Sequence, residues 1–301
     1  MPVASRKRFG AAHPLPVRRP FRLDLTVDAL RRLAANAVDV VGPDATYYRA
    51  LQDSGGTEVV AIRSRARRIE LQATGRHGER WLPVAERMLG TRVDLAEWYV
   101  RSKQIVWLAP LTETLAGLKP PRYPTLWEAC AHAILFQQIS IHAAAAIMRR
   151  AVETLGEVVT AGGVACIPFP PPQRWLDAGE RRLRVAGLSR NKIAHVRSVA
   201  EGFMTGKIDE GVLERLPTPA AAERLCAIRG IGAWSAAVIL LRGLGRLDVF
   251  PMRDSGVARS LSLLAGGVHV DQSELLERLG PVRGMLYYHL LLGRTRNLGC
   301  R

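Results

Sequence analysis

The chain has 301 residues, 48% of them hydrophobic, and carries 43 Lys+Arg against 27 Asp+Glu for a formal net charge of +16. That length and apolar fraction support two or three compact cores and exclude a disordered or fibrous chain, and no run approaches the roughly 20 apolar residues of a membrane span. The charge selects polyanionic partners, nucleic acid or an acidic membrane surface, but names no reaction.

Residues 1–20 hold five Arg/Lys, four Pro and no acid, which predicts a flexible basic arm. From Phe21 to Val27 the apolar alternation reads as a strand, after which Asp28 caps a short helix through Ala35. Further strands are predicted near Tyr47–Leu51, Glu58–Ser64 and Arg68–Ala73, with Ser54-Gly55-Gly56 as a turn and a helix over Glu79–Leu89. The run Arg63 to Arg68 falls between two of these strands and reads as a solvated hairpin, with DNA contact as the alternative. Together these segments make an α+β unit over residues 21–110. The stiff Lys119-Pro120-Pro121-Arg122-Tyr123-Pro124 then leads into a helical region, assigned residues 111–301.

In that region Thr125 caps a helix through Phe136, Gln137-Gln138-Ile139 interrupts it, and Ser140 caps the next helix over residues 141–154. A loop with Gly162-Gly163 and Pro170-Pro171-Pro172 precedes helices resuming near Trp175 and at the Ser189 cap. Arg190, Lys192 and Arg197 read as solvent-facing or phosphate-reaching cations. The segment Leu225 to Ala237 reads as helix, glycine-rich hairpin, helix. Gly230 and Gly232 tolerate positive φ and close backbone approach. The N–H groups at the start of the helix from Ala233 lack partners and sit at its positive dipole end, so a phosphate is the natural ligand, against the bland reading of a helical corner. Asp254 follows Gly232 by 22 residues and precedes Ser255-Gly256-Val257, the place of an N-cap. Cysteines 130, 166, 226 and 300 form neither Cys-x-x-Cys nor a cluster-binding run, which predicts a reduced compartment, the cytoplasm, and no iron–sulfur centre. Arg6-Lys7-Arg8 is followed by no apolar stretch, so no signal peptide is predicted.

Taken together, Phe136-Gln137-Gln138-Ile139-Ser140, the hairpin, Asp248-Val249-Phe250-Pro251, Asp254 and Pro281-Val282-Arg283-Gly284 resemble the helix-hairpin-helix DNA glycosylases. The closer likeness is to their alkylation-repair branch, the 3-methyladenine DNA glycosylase II type. The resemblance implies an N-terminal α+β domain that supports the fold more than the chemistry, and an all-α core of two helical subdomains flanking a cleft. It further implies a monomer that acts on double-stranded damaged DNA and takes no membrane partner. In this likeness Asp254 is the catalytic carboxylate, and Gln138 is the wedge filling the gap left by an extruded nucleotide. The backbone of Gly230, Ile231, Gly232, Ala233 and Ser235 holds phosphate, and Trp234, Val238, Val282, Phe136 and Gln137 line the substrate pocket. Arg253 stands where many relatives carry another acid. No catalytic metal or cofactor is expected, although hairpin carbonyls in this family can hold a monovalent cation. Bifunctional relatives place a lysine where this chain has Trp234, so hydrolysis by water without strand cleavage is expected. The alternative is an inactive member of the same fold that binds or senses damaged DNA.

Overall fold

The computed structural model describes residues 8–33, 36–66, 68–267 and 270–296. A five-stranded antiparallel sheet of order β1-β5-β4-β3-β2 occupies the N-terminal part. It is built from β1 (His13–Pro14), β2 (Asp39–Val41), β3 (Tyr47–Asp53), β4 (Gly56–Arg65) and β5 (Arg68–Ala73). Pairing of Tyr47 with Ile62 and of Tyr48 with Ala61 sets the register. Tyr47, Leu51, Val60, Ile62 and Leu71 thereby fall on one face, under helices α1 (Leu23–Arg31) and α2 (Leu82–Leu89). Tyr48, Ala50, Val59 and Ala61 fall on the other, as the period of two requires.

The remaining elements are helical except for one small hairpin. They are α3 (Ala96–Lys103), α4 (Leu108–Thr114), α5 (Leu126–Leu135), α6 (Ile141–Leu155), β6 (Val159–Ala161), β7 (Val164–Cys166), α7 (Pro172–Asp177), α8 (Glu180–Val185), α9 (Arg190–Met204), α10 (Glu210–Arg215), α11 (Thr218–Cys226), α12 (Ala233–Arg242), α13 (Ser255–Leu264), α14 (Gln272–Leu279) and α15 (Gly284–Thr295). Two apolar cores organise them. The first joins α5, α6, α7, α9, α11 and α12; the second joins α3, α4, α14 and α15 with Phe250, Val257 and Leu261. These are the two helical subdomains expected, beside an α+β N-terminal part.

Several expectations are corrected. Residues 8–20 are no free arm: β1 pairs with β5, Gly10 N–H donates to Ala73 O, Leu15 N–H donates to Ile69 O, and Leu15 is buried. Residues 1–7 lie outside the described residues. The strand expected from Phe21 is α1. Leu23, Val27 and Leu30 pack toward the sheet while Leu25 and Ala29 pack into the second helical core. Two apolar helical faces on one segment mimic the alternation of a strand. The boundary also moves, because α3 and α4 bury Trp98, Leu108 and Leu111 against α15 and α14. The loop around Gly162-Gly163 is the β6–β7 hairpin, which covers the second sheet face through Ala161 and Cys166.

A buried ionic link ties the sheet to α5. Arg49 and Glu128 are 1% and 2% exposed, and Arg49 Nη2 donates to Glu128 Oε2 at 2.5 Å. Arg49 Nη1 also pairs with Asp39, which accepts from Tyr47 Oη at 2.6 Å. Burial pushes the Glu128 carboxyl up to about 7 against the pull of Arg49. A second buried arginine, Arg242 at the end of α12, donates to the carbonyls of Ala29 and Leu30 at 3.1 and 2.9 Å and fixes the end of α1. Among the described residues no helix is long and apolar enough to cross a membrane.

Candidate functional site

The hairpin between α11 and α12 is shaped by one glycine and left bare by the other. Gly230 has φ +92, and a Cβ there would lie 2.4 Å from His195 Cγ, so the turn closes onto α9 only without a side chain. Ile231 is buried in the first helical core, and its N–H donates to Ile228 O at 3.0 Å. From the α5–α6 junction, Gln137 Nε2 donates to Gly230 O and to Ser235 Oγ, both at 2.8 Å. Gly232 is the N-cap of α12 and offers no side-chain cap. Among the described residues, no acceptor in the protein takes the N–H groups of Gly232, Ala233, Trp234 and Ser235. The exposed ones among these amides, at the positive helix end, suit an anion.

This sorts the five residues expected to hold phosphate. Gly232 and Ala233 are exposed with free amides. Gly230 supplies the turn, while Ile231 spends its N–H inside it. Ser235 is 2% exposed as a whole residue, and its hydroxyl accepts from Gln137 inside the turn. Lys192 and Arg197 are corrected as well: each donates inward, Lys192 Nζ to Leu135 O at 2.6 Å and Arg197 Nη2 to Ala178 O. Burial lowers the Lys192 ammonium below the ordinary lysine range.

Facing the hairpin, Asp254 caps α13. Its Oδ1 accepts from Gly256 N at 2.8 Å and Val257 N at 3.0 Å, and its Oδ2 accepts from Trp234 Nε1 at 3.0 Å. An ionised carboxylate has about four lone-pair positions; three are filled, and the fourth, on Oδ2, remains for something entering the cleft. Trp234 therefore holds the carboxylate in place as well as lining the wall. Arg253, exposed beside it, adopts φ +57. Arg294 packs against the first turn of α13, where a Cβ on Gly256 would meet Arg294 Nη1 at 2.9 Å.

Hairpin and carboxylate are two walls of one cleft of about 1500 Å³. Phe136, Gln137, Gln138 and Trp234 line it. Gln138 is exposed at φ +57, a conformation that only an imposed turn keeps for a side-chain-bearing residue. Val238 and Val282 do not line it. Val238 is 1% exposed within the first core and Val282 8% within the second. One turn beyond Trp234, α12 has already descended beneath α5 and α11, so helical spacing alone misplaces Val238. Sequence reasoning missed Arg32, Tyr287, Leu291 and Arg294, which complete the wall. Neither arginine carries a local signal: Arg32 falls in the short helix expected from Asp28, and no particular element is predicted around Arg294. Among the described residues Asp254 is the one carboxylate on the wall, against Arg32, Arg229, Arg253, Arg259 and Arg294. Among the described residues no three His, Cys, Asp or Glu side chains gather as a metal centre would need.

Residues 131–280, which contain the glutamine junction, the hairpin and Asp254, match the family described as HhH-GPD superfamily base excision DNA repair protein. The chain belongs to this superfamily. A DNA-3-methyladenine glycosylase of Bacillus subtilis is 28% identical over 57% of the chain and 56% of the relative. The chain spans about half the length of the first curated relatives it matches. A solved 3-methyladenine DNA glycosylase from Archaeoglobus fulgidus superposes with a TM-score of 0.79 at 25% identity, over 94% of this chain and 98% of that one. An 8-oxoguanine glycosylase/lyase from Clostridium acetobutylicum, at 14% identity, shares the HhH-GPD fold with a TM-score of 0.74 over 96% and 99% of the two chains.

Proposed function

We propose that this HhH-GPD protein is a monofunctional DNA glycosylase that excises alkylated bases from duplex DNA. The observation that carries the reading is Asp254, held by three donors in a cleft whose opposite wall is an array of free amides. The hairpin amides and flanking arginines grip phosphate and carry no sequence information. Gln138 fills the gap in the stack as a nucleotide leaves it, which costs a few kcal/mol of unstacking. Breaking the N-glycosidic bond sends its electron pair to the base, and positive charge develops on the deoxyribose. Asp254 stabilises that charge from a fixed position with no reorganisation. Water then adds at C1′ and loses a proton. An alkylated purine that already carries a positive charge departs neutral, so the site needs no strong general acid.

Among the described residues the cleft wall contains no lysine, and Trp234 stands where the family resemblance places the Schiff-base lysine of bifunctional relatives. We therefore infer hydrolysis that leaves an intact abasic site. The carbonyls of Ile228 and Gly230 each accept one hydrogen bond inside the protein and keep a second lone pair. They fit a monovalent cation that would brace the turn. Neither this ion nor the monomeric state expected from the sequence enters the chemistry.

The test is abasic-site formation on a panel of duplexes, each carrying one defined lesion, with borohydride added to a parallel series. Release of alkylated bases without a trapped adduct is expected. A trapped protein–DNA adduct would remove the monofunctional assignment, and binding without release from any lesion would favour the inactive damage-binding reading.

A further inference from the structure

The free end of α1 brings an unusual arginine to the cleft. Arg32 is 8% exposed, yet it lines the cleft wall. Its guanidinium lies over the Phe136 ring, 4.6 Å from the centroid, while Nε and Nη2 have no hydrogen-bond partner among the described residues. Two further facts say that this placement is imposed. The backbone is in the left-handed region at φ 63, a conformation that a long side chain enters only under constraint. The preceding turn is clamped by Arg242 through the Ala29 and Leu30 carbonyls. A buried cation whose donors are unused is costly, and an aromatic face offsets only part of that cost. The guanidinium borders the cleft, and a base entering there brings acceptors to it.

We propose that Arg32 is a specificity-determining residue that reads the edge of the extruded base and favours lesions carrying a carbonyl oxygen at C6, the guanine type, over those with an exocyclic amine. The inference rests on the glycosylase reading above and names its preferred substrate class. A guanidinium can only donate, so it satisfies the O6 acceptor of 7-methylguanine. It meets the N6 amine of 3-methyladenine donor to donor. The N-terminal domain then supplies recognition chemistry, where the resemblance assigned it support.

One methylated duplex preparation contains both bases, so their release can be followed in the same tube by chromatography for the wild type, Arg32→Met and Arg32→Lys. Met keeps an apolar stem over Phe136 and Lys keeps the charge without the fork. Arg32→Met is expected to lower 7-methylguanine release about tenfold or more while 3-methyladenine release changes less than about twofold, with Lys intermediate. An unchanged ratio of the two bases overturns the inference and leaves the glycosylase standing. Equal loss of both, with a shallower salt dependence of binding to undamaged duplex, also overturns it and makes Arg32 a phosphate contact. If Met unfolds the protein by circular dichroism, the ratio is read from Lys alone, and a wild-type ratio there counts against the proposal. No release of either base by wild-type protein would instead defeat the glycosylase reading itself.

Discussion

The two walls of the cleft are made of different materials. The hairpin wall is backbone: Gly232 and Ala233 present amides with nothing in front of them, and its one polar brace, Gln137, acts from behind. The opposite wall is side chain, with Asp254 fixed by two backbone N–H groups and an indole while arginines stand around it. Backbone suits a task that must be blind to sequence, since every nucleotide offers the same phosphate. Side chains suit a task performed at one atom. Trp234 connects the two, because it begins the helix that carries the free amides and donates to the carboxylate across the cleft.

The contrast is broken most severely by Asp254→Asn. The amide oxygen can still cap α13, but the Nδ2 group then faces Trp234 Nε1 donor to donor and the charge is gone. Excision is expected to fall roughly 10²–10³-fold, with the melting temperature and the affinity for undamaged duplex close to wild type. Single-turnover kinetics and a binding titration on the same preparation check this, and near-normal turnover would exclude Asp254 as the reacting carboxylate.

Next in size is a pair of glycine substitutions that separates folding from anchoring on the backbone wall. Gly230→Ala drives a Cβ into His195 at a positive φ and is expected to destabilise by about 2–5 kcal/mol from strain and overpacking together. Gly232→Ala meets nothing within 4 Å in the protein. Its melting temperature should stay near wild type, while duplex affinity drops about 10- to 100-fold as amide-to-phosphate hydrogen bonds are blocked. Thermal melts and salt-dependent binding isotherms decide the matter; equal loss of stability in both variants would make the second glycine structural.

How far the site could be read from the sequence follows the same division. Features written in consecutive residues were legible. Thr125, Ser140, Ser189 and Asp254 all accept from backbone amides at their predicted helix starts, and the hairpin lies where its glycines put it. Features made by distant segments were not. Helix α1 packs against two cores at once and so carries a strand-like pattern. Val238 shares a helical face with Trp234 but lies one turn deeper, and Arg32 reaches the cleft only because Arg242, 210 residues later in the chain, holds α1 against α12. No local periodicity encodes such contacts.

A finer test addresses the link between the walls. Trp234→Phe keeps the ring and deletes the hydrogen bond to Asp254, so excision should fall about tenfold, the worth of one hydrogen bond to a charged group in a partly exposed site. Binding to undamaged duplex should stay within about twofold. A parallel fall in both would show that the indole serves the hairpin more than the carboxylate. The smallest effect is expected at Gln138→Gly. Relief of the left-handed backbone should leave stability unchanged or raised by up to about 1 kcal/mol, while loss of the side chain that fills the duplex lowers excision a few-fold. A fluorescent base analogue opposite the lesion would report that loss of extrusion directly, and unaltered extrusion would remove Gln138 from the wedge role.

The Arg49 link bears on how this protein can be taken apart. A cut in the segment after α2 leaves every residue of the hairpin and Asp254 in the helical half. Yet it would strip Glu128 of its buried cation and leave Arg242 without the Ala29 and Leu30 carbonyls. An unmatched buried charge costs about 3–5 kcal/mol, a large part of the net stability of a domain. The helical half is thus no portable cassette. Replacing the sheet of this chain alone is expected to lower the melting temperature, and replacing Asp39, Arg49 and Glu128 as a set is expected to limit that loss.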